Sequence, residues 1–257
     1  MRSLSILILF VLAATLSACA AAAHGHAVWI CIPSNPFPPL TFPDHEGQAQ
    51  WLARKAIART GDSASFAVVP WARCVEGMRA GTYDAALPPT LAFANEFAFP
   101  LGDDGKPDAR KSVGEVTMVV LRRVGSAADW DGTAFTGLAS PVMFNKGVLS
   151  VREKLARLGV RGDEGARSND MLIHKLVAGR ADLLVMNYQV AVGELALPEF
   201  RGKLTILPVP FLSMVSYLAF GQRYLAAHPG YAEAVWNEIA RLRATPEWAR
   251  VAPTLAK

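Results

Sequence analysis

The sequence predicts a mixed α/β protein made of two similar lobes, and two features carry this prediction. Residues 65–87 form a strand–helix–strand unit, in which a β-branched run is followed by apolar residues at helical spacing and then by another apolar run. Short connections of this kind imply parallel strand pairing. The order of helix, Ala-Gly-x-x-Asp and strand then occurs twice, at Gly81 with Asp84 and at Gly179 with Asp182. The repeat therefore predicts two α/β lobes built on one plan.

The remaining elements follow from the spacing of apolar residues between glycine and proline signals. Apolar residues three and four positions apart predict helices at 48–58, 70–80, about 149–158, 169–178 and about 231–243. Short apolar or β-branched runs predict strands at 28–32, 65–69, 83–87, 114–121 and 181–186, with further apolar runs at 204–210 and 215–220. The segment 33–40 is rich in proline, which excludes a helix and a central strand, and it is therefore predicted to be a loop.

The first residues predict export. Arg2 precedes an apolar run over residues 4–16, which is shorter than the ~20 residues that a membrane-spanning helix needs. We therefore interpret 1–26 as a secretory signal and lead-in. The four residues that end at Cys19 also resemble a bacterial lipobox, which would make this cysteine the lipidated first residue of the mature chain. Ordinary cleavage within the alanine-rich segment 18–27 is the alternative, and the sequence leaves both open.

Charge and composition exclude several functional classes. The chain has 26 basic and 22 acidic residues, spread without blocks, which argues against nucleic-acid binding. No apolar run after the signal is long enough to cross a bilayer, so membrane contact is expected only through a lipid on Cys19. The pair His24 and His26 lacks a third nearby ligand, and the acidic loop 103–108 lacks the spacing of a calcium loop. We therefore predict neither a metal site nor a cofactor.

Two cysteines remain once Cys19 is assigned to the signal or its anchor. Cys31 on the first predicted strand and Cys74 on the helix after Pro70 are then the only possible intramolecular pair. An exported protein meets an oxidising compartment, which favours a disulfide over two buried free thiols. The sequence alone allows both.

Several short motifs follow one another in an order that is similar to one known family. They are Pro70-Trp-Ala-Arg-Cys74, Gly81-Thr-Tyr-Asp84, Phe97-Ala-Phe-Pro100, Leu176-Val-Ala-Gly-Arg-Ala-Asp182 and Val215-Ser-Tyr-Leu-Ala-Phe220, after a signal and a Pro-Phe-Pro-Pro loop. In this order and spacing the chain resembles the family 3 extracellular solute-binding proteins, the polar-amino-acid type of periplasmic binding protein.

The resemblance implies a two-lobe fold of the periplasmic-binding-protein type II, in which two crossover strands act as hinges and a ligand cleft lies between the lobes. The crossovers would lie near 119–122 and 208–212. Lobe 1 would comprise 27–120 and 211–257, and lobe 2 would comprise 121–210. A ligand would bind beyond the carboxyl ends of the strands, as in other open α/β sheets.

The chain departs from this family at two positions that hold an α-amino acid. Amino-acid binders of the family place an arginine a few residues before the Phe-Pro strand, where it holds the ligand carboxylate in a bidentate fork, and Phe93 stands about there in this chain. They place an acidic residue after the lobe 2 strand, where it pairs with the α-ammonium, and Asn187 stands there. Each charge-assisted contact is worth ~1.5–3 kcal/mol. We therefore expect a ligand other than a standard α-amino acid.

The residues that we expect to contact the ligand follow strands or open helices on the side where the fold binds ligands. They are Phe37, Trp71, Arg73, Thr90, Ser140, Asn145, Ser168, Asn187 and Tyr188. Trp71 has core packing as its alternative role, Arg73 an exposed or structural role, and Ser168 the capping of its helix. Asn187 and Tyr188 are the first choice in lobe 2.

For function, the resemblance implies a monomeric periplasmic solute-binding protein. It would capture a small polar or anionic metabolite and deliver it to the inner-membrane permease of an ABC-type importer. An accessory or sensor module with another membrane or periplasmic partner is the alternative. A dehydratase-like enzyme of the same fold is the third class, for which His174 and Glu96 are the side chains to consider as acid or base. The sequence contains no Gly-x-Ser-x-Gly, His-Glu-x-x-His or Gly-rich phosphate motif, so we predict no catalytic residues.

Overall fold

The computed structural model describes residues 25–166 and 168–256. Its strands are β1 (Ala27–Pro33), β2 (Ser63–Val69), β3 (Ala85–Ala86), β4 (Phe97–Ala98), β5 (Gly114–Arg123), β6 (Asp129–Trp130), β7 (Phe135–Thr136), β8 (Val142–Asn145), β9 (Gly162–Ala166), β10 (Leu183–Asn187), β11 (Leu204–Ile206), β12 (Leu212–Ser216) and β13 (Ala219–Gly221). Its α-helices are α1 (Gln48–Arg59), α2 (Trp71–Ala80), α3 (Leu149–Arg157), α4 (Asn169–Val177), α5 (Tyr188–Ala196), α6 (Gln222–Ala227), α7 (Tyr231–Arg243) and α8 (Pro246–Val251).

Lobe 1 is built on a five-stranded sheet in the order β2-β1-β3-β13-β4. β2 and β3 pair parallel with β1 on its two sides, which confirms the strand–helix–strand unit predicted for residues 65–87. Val28, Ile30 and Ile32 of β1 are fully or almost fully buried in one apolar cluster with the inner faces of α1 and α7. Burying each of these side chains contributes ~1.5–3 kcal/mol, so this cluster is a main source of lobe 1 stability.

Lobe 2 is built on a second sheet in the order β11-β5-β10-β8-β9. β8 runs parallel to β9 and β10, whereas β10 and β11 run antiparallel to β5. α4 and α5 pack on this sheet through a separate apolar cluster that includes Leu172, Ile173, Leu176 and Ala191. The described residues therefore form two lobes, each with its own sheet, and the predicted two-lobe α/β fold is confirmed.

Two antiparallel strands connect the lobes. The first half of β5 pairs with β12, where Gly114 lies opposite Ser216 and Met118 lies opposite Leu212. The second half of β5 belongs to the lobe 2 sheet, where Met118 also lies opposite Asn187. β12 is followed after two residues by β13 of the lobe 1 sheet, so both strands lead from one sheet to the other. The lobe boundaries given above stay a prediction, because β5 crosses the first of them without a break.

β1 and α2 are joined by a disulfide between Cys31 and Cys74, whose Cα atoms are 5.5 Å apart. Both residues are fully buried, in an apolar cluster with Val75 and Met78 of the same helix. The predicted disulfide is thus confirmed. It holds the start of α2, where Trp71 lies, against a central strand of the lobe 1 sheet.

The two lobes end a helix in the same way. α2 is capped by Gly81 and α4 is followed by Gly179, and these glycines have positive φ angles of 78° and 71°. Residues with a side chain rarely adopt this left-handed conformation, so glycine is required at both positions.

The aspartate of each repeat fastens the chain to a neighbouring segment. The Asp84 carboxylate accepts the backbone N–H of Trp29 at 2.8 Å, and the Asp182 carboxylate accepts those of Ala139 and Ser140 at 2.8 Å each. The partner segment is β1 in lobe 1 and the approach to β8 in lobe 2. The repeat that the sequence shows is therefore a shared structural device, with no direct part in the cleft.

Several elements differ from the sequence prediction. The predicted strand 83–87 is reduced to the two residues of β3, and the run 215–220 supplies parts of both β12 and β13. The edge strand β9 was not predicted, because its Gly-Asp-Glu-Gly-Ala sequence has low strand propensity. α5 was not predicted either, because Ala191 is its one buried residue and the helix shows no clear apolar stripe.

None of the helices within the described ranges is long and apolar enough to cross a membrane. The predicted signal and the lipidation site at Cys19 lie outside the described residues.

Candidate functional site

A cleft of about 800 Å³, counted with its open mouth, lies between the two lobes. Its lobe 1 lining residues are Pro33, Asn35, Pro36, Phe37, Trp71, Pro88, Pro89, Thr90 and Phe93. Those of lobe 2 and of the connecting strands are Met118, Asn145, Lys146, Gly147, Val148, Leu149, Ser150, Asn169, Asn187, Val190 and Met214. Small-molecule sites are usually concave and lie where two structural units meet, and this cleft has that placement.

The lobe 1 wall is aromatic. Trp71 is the first residue of α2, and its ring meets that of Phe93 edge to face with centroids 5.8 Å apart. Phe93 is buried and stacks on Phe97 with ring centroids 5.9 Å apart, so the residue at the expected arginine position is a ring of the core. Trp71 and Phe37 are half-buried at the cleft surface. Trp71 therefore combines the two roles that the sequence left open, since it packs against the core and borders the cleft.

The lobe 2 wall comes from the segment that joins β8 to α3. β8 ends at Asn145, α3 begins at Leu149, and all residues from 145 to 150 line the cleft. The Asn145 Nδ2 group donates to Oδ1 of Asn169 at 2.9 Å, which ties this segment to the start of α4. The N-cap residue of α3, Val148, offers no side-chain hydrogen bond to the first turn. The positive end of the α3 dipole thus lies at the cleft without a capping side chain.

Asn187 lines the cleft, but its amide group already has structural partners. Its Oδ1 atom accepts the backbone N–H of Gln189 at 2.8 Å and of Val190 at 3.3 Å, so it caps α5. Its Nδ2 group donates to the carbonyl oxygen of Pro38 in lobe 1 at 2.7 Å. The side chain is 5 % exposed. Asn187 therefore joins the lobes, a role that the sequence did not reveal.

Two further contacts cross the cleft. The Thr90 and Ser150 hydroxyl oxygens, from lobe 1 and lobe 2, are 3.0 Å apart and form a hydrogen bond. A Cβ atom placed on Gly147 would lie 3.1 Å from Cδ1 of Trp71, so this glycine lets the lobe 2 backbone approach the indole ring closely. With the Asn187–Pro38 hydrogen bond, these contacts hold the two walls together in a closed arrangement.

The charge of the cleft is one-sided. Among its described lining residues, Lys146 is the one charged side chain and none carries a carboxylate. Lys146 is exposed at the lobe 2 wall, and no ion pair formed between described residues includes it. The cleft therefore offers a positive charge to an anion and, in its described part, no counter-charge to an ammonium group.

The predicted ligand residues divide into two groups. The structure brings five of them together on the cleft, namely Phe37, Trp71, Thr90, Asn145 and Asn187. The other four lie elsewhere. Arg73 and Tyr188 are exposed on α2 and α5. Ser140 binds the Asp182 carboxylate through its hydroxyl at 2.8 Å, and Ser168 caps α4, which was its alternative role.

The cleft also contains residues that the sequence did not single out. Met118 and Met214 line it from the connecting strands β5 and β12, and Ser150 lines it from the first turn of α3. The sequence does not mark the two methionines as cleft residues, because they lie in apolar runs whose other members are mostly buried in the core. No sequence motif marks Ser150, and its role becomes visible only through its hydrogen bond to Thr90 of the other lobe.

The two candidate acid–base residues lie away from the cleft lining. Glu96 accepts a hydrogen bond from Arg79 Nε at 2.6 Å, and this bond holds the pKa of the Glu96 carboxyl below its usual value. His174 is exposed, and its Nε2 atom lies 3.2 Å from Oδ1 of Asp170. The described residues include no cluster of three or more His, Cys, Asp or Glu side chains that would hold a metal ion.

The two sheets, the connecting strands and the cleft define a fold, the two-lobe fold of the periplasmic-binding-protein type II. Solved structures with this fold match the chain over most of its length. The GluR0 ligand-binding core from Nostoc punctiforme, in complex with L-glutamate, matches with a TM-score of 0.67 and 12 % identity, over 89 % of this chain and 98 % of that one.

Two other matches have the same extent. An amino acid ABC transporter substrate-binding protein from Streptococcus pneumoniae, bound to L-arginine, has a TM-score of 0.64 and 16 % identity, over 89 % of this chain and 94 % of that one. The BvgS VFT2 domain of Bordetella pertussis has a TM-score of 0.62 and 16 % identity, over 89 % and 93 %. No family model and no curated protein matches the sequence. At these identities the likeness establishes the fold.

Proposed function

We propose that this protein is an exported, monomeric solute-binding protein that captures a small polar or anionic molecule between its lobes and delivers it to a membrane permease of an ABC-type importer. The observation that carries the proposal is the cleft. Its walls come from both lobes, and hydrogen bonds join the two lobes at the cleft. Closure around a ligand excludes water and slows release, which suits capture and delivery. Two neighbours of the same fold hold small ligands, L-glutamate and L-arginine, which supports binding of a small molecule.

The ligand is not a standard α-amino acid. An α-ammonium group needs a carboxylate partner, and the described lining residues supply none. The side chain at the expected acidic position, Asn187, is engaged by α5 and by Pro38. The expected arginine position is occupied by the buried ring of Phe93. A zwitterion would lose two charge-assisted contacts worth ~1.5–3 kcal/mol each.

A thermal-shift screen of the purified mature chain tests this function. We expect no stabilisation by the common L-amino acids and a clear shift with one compound among carboxylates, other small anions and neutral polar molecules. A ligand at a hundredfold excess over its Kd adds ~2.7 kcal/mol, which raises Tm by about 5–10 °C in a protein of this size. Stabilisation by an ordinary L-amino acid would contradict the ligand assignment.

An accessory or sensor module is the second candidate, because the same fold forms the ligand-binding core of GluR0. The two candidates differ in their membrane partner. Cross-linking of the exported protein in cells, followed by identification of the linked membrane protein, distinguishes them. An ABC permease supports delivery, whereas a signalling protein or an oxidoreductase supports the alternative.

Export is tested by the mass of the mature N-terminus. Expression of the full chain in a bacterial host is expected to give a periplasmic product that lacks residues 1–18 and carries a lipid on Cys19. In that case Cys19→Ser releases the protein from the membrane fraction. An unmodified N-terminus between 18 and 27 supports ordinary signal cleavage instead, and a cytoplasmic product with Met1 retained refutes export.

A further inference from the structure

We propose that the cleft binds an aromatic carboxylate that carries no ammonium group, an inference that rests on the proposed solute-binding function and names its ligand class. Four observations carry it: the aromatic wall, the mutual pairing of the polar side chains and, among the described lining residues, a single cation outside any ion pair and the absence of a carboxylate.

The lobe 1 wall fits a flat apolar ring. Phe37 and Trp71 present half-buried aromatic surfaces to the cleft, and Phe93 supports Trp71 from behind in an edge-to-face contact. The rings of Pro88 and Pro89 line the same side. Aromatic rings stack or meet edge to face at centroid distances of ~4.5–7 Å, and they gain more from this contact than from burial of area alone.

The polar side chains of the cleft largely satisfy one another. Thr90 bonds to Ser150, and Asn145 bonds to Asn169. The Asn187 Nδ2 group donates to the Pro38 carbonyl oxygen, and its Oδ1 atom accepts the backbone N–H of Gln189. A sugar needs many hydrogen-bond partners, and groups that are already paired supply few. An apolar ligand body leaves these pairs intact.

One anionic group completes the ligand. Lys146 extends from the lobe 2 wall as the one charged side chain of the described lining, and the uncapped start of α3 at Val148 lies next to it. An ammonium ion and a helix N-terminus both attract negative charge. A single cation matches a monoanion such as a carboxylate, and the apolar surroundings disfavour a second charge, on the ligand, of either sign.

Ligands that differ by one group test the inference, with isothermal titration calorimetry as the readout. The probes are 3-phenylpropionate, its amide 3-phenylpropionamide, 3-cyclohexylpropionate and L-phenylalanine, with indole-3-acetate as a larger ring. We expect 3-phenylpropionate or indole-3-acetate to bind. The amide is expected to bind at least about tenfold more weakly. The cyclohexyl acid is expected to bind about two- to tenfold more weakly, and L-phenylalanine, which adds the ammonium, more weakly than the amide.

Two variants with matched controls locate the contacts. Lys146→Gln is expected to weaken the carboxylates about three- to tenfold without changing the amide, whereas Lys203→Gln, an exposed lysine outside the lining, leaves both unchanged. Trp71→Leu is expected to weaken all aromatic probes, whereas Trp29→Leu, whose side chain is 52 % exposed outside the cleft, does not. If Trp71→Leu does not fold, Phe37→Leu takes its place.

The outcomes distinguish a failure of this inference from a failure of the proposed solute-binding function. Binding of L-phenylalanine as tightly as 3-phenylpropionate overturns the inference. A sugar or an aliphatic compound that binds while every aromatic carboxylate fails also overturns it, and leaves the solute-binding function standing. If no small molecule binds and none is released when the purified protein is denatured, both are overturned.

Discussion

Asn187 is a cleft side chain whose amide group has two structural roles. Its Oδ1 atom caps α5, and its Nδ2 group bonds to the buried Pro38 in the other lobe. From the sequence it is a polar residue after a strand, which is typical of a ligand contact in this fold. The structure adds a competing use of the same amide, so the residue links helix capping to lobe closure.

Asn187→Ala is expected to lower the free energy of unfolding by about 2–3 kcal/mol, because it removes a helix cap and leaves the Pro38 carbonyl without its donor. Ser168→Ala is the matched control, since it removes the cap of α4 alone and is expected to cost ~1 kcal/mol. Urea unfolding measures both. Equal losses in the two variants would show that the bond to Pro38 contributes nothing.

Asp182 has a purely structural carboxylate whose charge matters for stability. Partial burial raises the pKa of this carboxyl, but hydrogen bonds from the Ser140 hydroxyl and from two backbone amides, with the nearby charge of Arg123, outweigh it, so the net pKa lies below the usual value. A carboxyl whose pKa is lower in the folded protein stabilises it above the unfolded-state pKa, about 4, and this stabilisation is lost as the pH falls through the folded-state value.

Asp182→Asn is therefore expected to destabilise the protein by about 1–3 kcal/mol at neutral pH, and the difference from the wild type shrinks as the pH is lowered below about 4. Chemical unfolding at several pH values measures this difference. Asp103→Asn, in an exposed loop, is the control and leaves stability unchanged. A loss for Asp182→Asn that is independent of pH would show that the negative charge is not the stabilising feature.

At the level of elements, the covalent link between β1 and α2 matters most. α2 carries Trp71 at its first turn, and the disulfide between Cys31 and Cys74 fixes that turn to the sheet. Lobe 2 has no such link among its described residues, and α4 relies on its Ser168 cap and on its buried apolar face. The lobe 1 wall is thus tied to its sheet by a covalent bond, and the described part of the lobe 2 wall has no such bond.

Replacing both cysteines by alanine is expected to lower the free energy of unfolding by about 4 kcal/mol, since the bridge joins residues 43 positions apart and restricts the unfolded chain. Guanidinium unfolding measures the effect. Wild-type protein treated with a reductant is the control and is expected to fall to the same stability. Labelling of the denatured, unreduced protein with a thiol reagent is a second check. Reaction of both Cys31 and Cys74 would refute the disulfide.

Over the whole molecule, two side-chain hydrogen bonds help to hold the cleft closed. The Thr90–Ser150 hydrogen bond and the bond from Asn187 to Pro38 span the lobes, and β5 and β12 connect them covalently. Each neutral hydrogen bond is worth ~0.5–1.5 kcal/mol. A balance of this size lets a ligand shift the protein between open and closed forms.

Thr90→Val is expected to favour the open form, with a larger radius of gyration by small-angle X-ray scattering and about two- to tenfold weaker ligand binding. Ser150→Ala gives the same effect, and the double variant adds nothing further. Thr117→Val is the control, because Thr117 pairs with Ser213 between β5 and β12 rather than across the cleft. Additive losses in the double variant would refute a direct bond.

The sequence by itself determined the features that depend only on residues close together along the chain. The apolar periodicity located α1 and α7 almost to the residue, and the glycines at 81 and 179 marked the ends of α2 and α4. The strand–helix–strand order and its repeat predicted the two-lobe fold. Helix periodicity, capping and turn preference act within a few residues, which is why they can be read along the chain.

Only the tertiary structure decided which polar side chains meet. Asn187 and Pro38 are 149 positions apart, and Thr90 and Ser150 are 60 apart, so no local pattern couples them. Ser140 and Ser168 stand at the expected strand and helix ends, yet the packing of nearby elements gives their hydroxyls structural partners. A hydrogen bond needs two atoms within about 3 Å, and that proximity arises only when the sheets, helices and lobes have taken their places.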